Sequence, residues 1–138
     1  LADDMGVPIS KVPEAVKAFE EIAKKHNVTI ATYGHASDGN LHTKMVLDPY
    51  SKDDWDRGVA AVGEIFEKCI ELGGTVSGEH GIGMSKAADF IKERNSNLKT
   101  YAEIKKAMDS KNILNPGKSF EFEGNALRGL RYPCKEYQ

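Results

Sequence analysis

Two runs with strand character, residues 28–33 and 41–47, stand back to back across a short turn, and each has an amphipathic helical pattern on its outer side. The first run is rich in β-branched residues. In the second, Leu41, Thr43, Met45 and Leu47 alternate with His42, Lys44 and Val46. Ala36-Ser37-Asp38-Gly39-Asn40 joins them, and its Asp-Gly step supplies the positive φ that a tight hairpin connection wants.

The helical patterns on both sides are equally regular. Pro13 opens the first, in which Val12, Val16, Phe19, Ile22 and Ala23 recur at three and four residues with Glu and Lys between them, ending near His26-Asn27. The second follows Asp48-Pro49, with a stripe of Trp55, Val59, Val62, Phe66 and Cys69 widened by Ile65 and Ile70, and Gly73-Gly74 stops it. Met5-Gly6-Val7 reads as a short strand ended by Pro8, and Thr75-Val76-Ser77 as another. The order is β-α-β-β-α-β. It predicts an α+β fold of the ferredoxin-like kind, an antiparallel sheet with both helices on one face, followed by C-terminal helices over residues 84–91 and 98–110. The organised part is expected to span residues 1–120, with an irregular tail over 121–138.

Composition narrows the class. The 138 residues are 40% hydrophobic and 29% charged, which fits one globular domain with a modest core, and 19 Lys+Arg against 21 Asp+Glu provide no positive field to hold a nucleic acid. No stretch approaches the roughly 18–20 apolar residues of a transmembrane segment. Cys69 and Cys134 are too few for a disulfide framework and too far apart for a redox pair, so a reducing, cytoplasmic setting is expected, with Cys69 as core packing. The start at Leu1, without an initiator Met, reads as the interior of a larger protein.

Four histidines are present, and two of them, His35 and His42, bracket the hairpin turn. A hairpin closed around positions 38 and 39 would set these two opposite each other on one face, with Cβ atoms about 4.5–5.5 Å apart. If the strand carrying Ser77 runs beside the hairpin, Glu79 adds a carboxylate from the glycine-flanked turn Gly78-Glu79-His80-Gly81-Ile82-Gly83. Two imidazoles and one carboxylate make an open coordination site. The bland readings stand beside it: histidines near a turn are often surface residues, and the glycines of this turn either bind an anion through their amides or simply turn the chain. The spacing fits neither a P-loop nor a dinucleotide fingerprint. His26 is expected as an exposed helix-end residue.

Gly34-His35-Ala36-Ser37-Asp38-Gly39-Asn40-Leu41-His42, Gly74-Thr75-Val76-Ser77-Gly78-Glu79-His80-Gly81-Ile82-Gly83 and Ile113-Leu114-Asn115-Pro116-Gly117-Lys118 occur in this order. Together they resemble the C-terminal, or cap, domain of FAD-linked oxidases of the vanillyl-alcohol-oxidase type, which includes the glycolate oxidase flavin subunit and the D-lactate and D-2-hydroxyglutarate dehydrogenases. The resemblance covers about residues 3 to 120. It implies a cap that holds a 2-hydroxy acid over a flavin bound mainly by an N-terminal FAD-binding domain. It further implies His35, His42 and Glu79 as ligands of a divalent metal, Zn or Mn, His80 as catalytic base, Asn40 at the flavin and substrate site, and Asn115 in a segment that contacts the FAD domain.

One departure is Ser37, where the family usually has glycine, and the family's substrate-clamping Arg or Lys residues lie earlier and find no counterpart. The expected function is therefore hydride transfer from a glycolate- or D-lactate-type acid to FAD, with no turnover by this piece alone. An iron-sulfur subunit is a partner by resemblance only, and self-association into a homodimer is expected if the face that meets the FAD domain is apolar. Two other classes compete: a noncatalytic module that binds a metal or small acid, and a metal-assisted hydrolase with Glu79 as base, which lacks a separate third ligand.

Overall fold

The computed structural model describes residues 1–48 and 50–121, and its sheet is built around β3 (Asn40–Val46). β1 (Ala2–Gly6) and β2 (Thr29–His35) pair with β3 on either side, both antiparallel, in the order β1-β3-β2. Because strand side chains alternate, the register sorts the sheet into two faces. Met5, Leu41 and Met45 lie on one face and are buried in the apolar core. Asp4, His42 and Tyr33 lie on the other, since Asp4 and Tyr33 are the pairing partners of His42.

The core face is covered by α1 (Val12–Lys25) and α2 (Lys52–Glu71). Their spacing dictates what they bury: Ala15, Phe19, Ile22 and Ala23 from α1, and Ala61, Val62, Ile65, Phe66 and Cys69 from α2. Phe19, Phe66, Ile65 and Met5 are fully enclosed, and each such side chain contributes about 1.5–3 kcal/mol of hydrophobic stabilisation. Ser51 caps α2 by accepting a hydrogen bond from the Asp54 amide at 3.2 Å. At the other end, Gly73 takes φ +77°, and the amides of Gly74 and Gly73 close onto the carbonyls of Cys69 (2.8 Å) and Ile70 (2.9 Å). That paired pattern is how glycine ends a helix. α3 (Ala87–Arg94) and α4 (Leu98–Met108) follow.

The α+β class and both long helices agree with the sequence reading, and five details correct it. The hairpin register differs: His35 pairs with Asn40 and His42 with Tyr33, so His35 and His42 are diagonal neighbours rather than opposite ones. The reason is a four-residue turn over 36–39, in which the amides of Asp38 and Gly39 both reach the His35 carbonyl (3.2 and 3.1 Å). Gly39, at φ +78°, is the last residue of that turn, and a Cβ there would lie 2.0 Å from the Val7 carbonyl oxygen.

The expected fourth strand is a single bridge, Gly6 with Thr75, on the free edge of β1. It goes no further: the Asp4 carbonyl, which the next rung would use, accepts instead from Lys86 Nζ (2.7 Å). Counting the bridge as an edge, the spatial order 4-1-3-2 of the ferredoxin-like arrangement is present with its fourth strand reduced to one residue pair. β1 runs over Ala2–Gly6 and stops before Val7, and residues 84–86 are a turn ahead of α3. His26 is not an exposed end residue: its Nε2 lies 2.7 Å from Glu64 Oε2. The tail from residue 122 on, with Cys134, lies outside the described residues.

Candidate metal centre and base

Three of the sequence-derived ligands converge on the sheet face that the helices leave free. The donor atoms of His35, His42 and Glu79 lie within 4.8 Å of one another. Glu79 Oε1 is 3.2 Å from His42 Nε2 and 3.7 Å from His35 Nε2, while the two imidazole centroids are 5.7 Å apart and roughly perpendicular. The diagonal register keeps both histidines on one face, and long side chains bridge that offset. His42 is buried within β3, whereas His35 and Glu79 are open to solvent. A carboxylate and two imidazole nitrogens at this separation match the donor set of an open divalent-metal site.

His80 stands beside this group and stacks on His42 with centroids 5.2 Å apart. Its Nε2 is 3.9 Å from Glu79 Oε1, and its Nδ1 is 3.4 Å from Asp4 Oδ1.

Asp4 is the residue that sequence reasoning missed. It is completely buried on β1, and its Oδ2 accepts from the Glu79 amide (2.6 Å) and the His80 amide (3.1 Å). Lys86, itself buried, donates to Asp4 Oδ1 and to the Asp4 carbonyl (2.7 Å), and its ammonium lies 5.7 Å from the centre of the Phe66 ring. Burial pushes the Asp4 carboxyl up, but the Lys86 hydrogen bond, the two backbone amides and the Lys86 charge together outweigh it and bring the pKa down to about 2. The amides of the glycine-rich turn do bind an anion, and that anion is this chain's own aspartate. The sequence carries no trace of it: Asp4 stands just before the strand read at Met5-Gly6-Val7, and nothing local reveals a partner 82 positions away.

Asn40 is buried at the start of β3, and its Oδ1 has no hydrogen-bond partner among the described residues. Gly78 packs against it so closely that a Cβ would sit 2.2 Å from that oxygen. Tyr33, also absent from the sequence-derived set, is exposed with its ring 5.2 Å from that of His42. Asn115 is not brought to the cluster: it is exposed, at φ +51°, and its side-chain oxygen accepts from Lys118 Nζ (2.9 Å). Cys69 has its thiol pushed up to about 12, first by burial and then by Glu93, which leaves it an inert core group. A groove between α1 and α2, lined by Glu21, Lys25 and Glu64, lies on the helical side of the sheet, and its charges are paired across it through Lys25 and Glu64 (2.8 Å).

A free sheet face carrying two histidines, a carboxylate and a third histidine, in an α+β fold, is matched over residues 1–119 by one protein family. The chain belongs to the FAD linked oxidases, C-terminal domain. Among similar proteins, it is 46% identical over 121 residues to the glycolate oxidase subunit GlcD of Bacillus subtilis, covering 87% of this chain and 26% of that protein. It is 34% identical over 116 residues to a D-lactate dehydrogenase of Archaeoglobus fulgidus, covering 83% of this chain and 25% of that protein. To a D-2-hydroxyglutarate dehydrogenase of Stutzerimonas stutzeri it is 33% identical over 124 residues, covering 86% of this chain and 26% of that protein. The chain thus spans about a quarter of the length of these relatives. No helix among the described residues is long and apolar enough to cross a membrane.

Proposed function

We propose that this chain is the metal- and substrate-binding part of the cap in an FAD-dependent dehydrogenase or oxidase of 2-hydroxy acids. The observation that carries the reading is the convergence of His35, His42 and Glu79 within 4.8 Å, with His80 adjacent, on the face free of helices. Two nitrogens and one oxygen would hold a divalent metal such as Zn²⁺ or Mn²⁺ with positions left open for a substrate. Asn40 Oδ1, buried and without a hydrogen-bond partner among the described residues, is an acceptor that a donor of the flavin or the acid would satisfy. FAD would be held chiefly by a preceding domain, and a cytoplasmic setting belongs to the same reading.

When bound, the metal supplies polarisation of the 2-hydroxyl and carboxylate, and the flavin supplies the acceptor for the Cα hydride. The residues of this chain do the rest. His35, His42 and Glu79 orient the acid, and His80 takes the hydroxyl proton at a ring nitrogen. A positioned base of this kind contributes roughly 10²–10⁴-fold.

The test uses the full-length FAD-containing protein, with flavin reduction followed by stopped flow against glycolate, D-lactate and D-2-hydroxyglutarate. His80→Asn is expected to slow reduction by roughly 10²–10⁴-fold while keeping metal content and substrate affinity. His42→Ala is expected to lose metal and substrate affinity, with partial rescue by high Zn²⁺ or Mn²⁺. Retention of metal and rate by His42→Ala, or loss of metal by His80→Asn, would redraw the roles. A wild-type protein that binds metal and acid without reducing its flavin would be a noncatalytic module.

A further inference from the structure

We propose that Asp4 is the positioning residue for His80, fixing both the place of its ring and which ring nitrogen is free to take a proton; this rests on the reading of His80 as base. Residues 77–83 form neither helix nor strand. Within this loop the Ser77 hydroxyl donates to the Gly81 carbonyl (3.1 Å), which closes the turn but does not fasten it to the sheet. The fastening is Asp4 Oδ2, which accepts from two consecutive amides, Glu79 at 2.6 Å and His80 at 3.1 Å. Two successive N–H groups on one oxygen fix the peptide plane between them, and with it the direction in which the His80 side chain leaves the backbone.

The other oxygen acts on the ring. Asp4 Oδ1 lies 3.4 Å from His80 Nδ1, not aligned as a formed hydrogen bond, and an ionised carboxylate, which can only accept, favours the tautomer that carries the hydrogen on the nitrogen facing it. The lone pair is then on Nε2, which lies on the side of Glu79. A neutral imidazole in that tautomer is what a base at this position requires. Lys86 keeps the arrangement ionised in a buried place: its ammonium bonds both the carboxylate and the carbonyl of Asp4, and it sits against Phe66. Asp4 touches no substrate, and of the donor set it holds only the Glu79 backbone amide, so with metal in excess its effect on the rate runs through His80.

In the full-length FAD-containing protein, with Mn²⁺ or Zn²⁺ in excess, Asp4→Asn, His80→Asn and the double variant are compared by stopped-flow flavin reduction with the same three acids. Asp4→Asn is expected to lower the limiting rate by roughly 10–100-fold, with substrate affinity little changed. The double variant is expected to be no slower than His80→Asn alone, because a residue that acts through another loses its effect when the other is gone. A general structural role would instead multiply the two losses and weaken substrate binding. Multiplied losses, or a wild-type rate for Asp4→Asn beside a slow His80→Asn, overturn the inference and leave the base assignment standing. A wild-type rate for His80→Asn overturns both. Should Asp4→Asn fail to fold, the neutral pair Asp4→Asn with Lys86→Met carries the same comparison, since a buried ion pair exchanged as a whole is tolerated better than one broken.

Discussion

His42 reaches the cluster from the middle of a hydrogen-bonded ladder, whereas Glu79 and His80 reach it from a loop that side chains hold in place. β3 is paired on both edges, so the backbone itself fixes where the His42 side chain points. The loop after Thr75 has one bridge to β1 and depends for the rest on Asp4, Lys86 and Glu93. The turn after α4 uses the same device: Asp109 accepts from the amides of Ile113 (3.1 Å) and Leu114 (2.9 Å) and pairs with Lys105. Backbone ladders tolerate side-chain replacement, while a loop gripped by one carboxylate fails with that carboxylate. The domain therefore combines a rigid half-site with one whose geometry is set by a few charged groups.

The sharpest way to break this contrast is Lys86→Met. It leaves the Asp4 carboxylate buried beside two amides without a counter-charge, and breaking a buried pair from one side costs about 3–5 kcal/mol. Denaturant unfolding should show that loss, and amide exchange should locate it. Protection is expected to fall over residues 77–86 and to remain in β2 and β3 until global unfolding. Equal loosening of hairpin and loop would mean that Lys86 supports the whole core through Phe66 and not the loop in particular.

Much of this architecture was legible in the sequence, for identifiable reasons. The three- and four-residue spacing of Phe19 and Ile22 and of Val62, Phe66 and Cys69 states both helices and the faces they bury. The alternation from Leu41 to Met45 states the central strand, and Gly73-Gly74 the end of α2. The hairpin register was misplaced because Asp-Gly fits more than one turn: Gly39 serves as the final left-handed residue of a four-residue turn, not the second of a two-residue one. His35, His42 and Glu79 come together as spacing and resemblance implied, yet the contact that seats Glu79 and His80 could not be read. Asp4 is 75 and 76 positions from the amides it holds, and no local pattern marks a strand aspartate as a loop anchor.

Acidification should sharpen the comparison more gently than Lys86→Met. The Asp109 carboxyl is held below its ordinary value of 3.8, chiefly by the Lys105 hydrogen bond and then by the Leu114 amide. A depressed carboxyl stabilises the fold fully above its unfolded pKa and loses that contribution as pH falls through the folded one. Below about pH 3.8 the amides of Ile113 and Leu114 should therefore exchange faster, relative to the intrinsic rate at each pH, while the β2–β3 ladder keeps its protection. If both regions lose protection together, acid acts on the core and Asp109 is not the local latch.

The smallest effect expected is on the hairpin side, at Ser37, the position where the resemblance leads one to expect glycine. Ser37 is exposed within the turn over 36–39, and only Gly39 in that turn has a positive φ, so the serine carries no backbone strain for a glycine to relieve. Ser37→Gly thus adds freedom to the unfolded chain and gains nothing in the folded one, a loss below about 1 kcal/mol. Metal affinity should not move, because His35 and His42 are fixed by pairing with Asn40 and Tyr33 and not by the residues of the turn. Calorimetric titration of Zn²⁺ into the wild type and Ser37→Gly tests this directly. Matching affinities would confirm that the ladder positions the two imidazoles. A shift of tenfold or more would show that the turn conformation sets the His35 donor, and the hairpin would then join the loop as a part of the site that local side chains control.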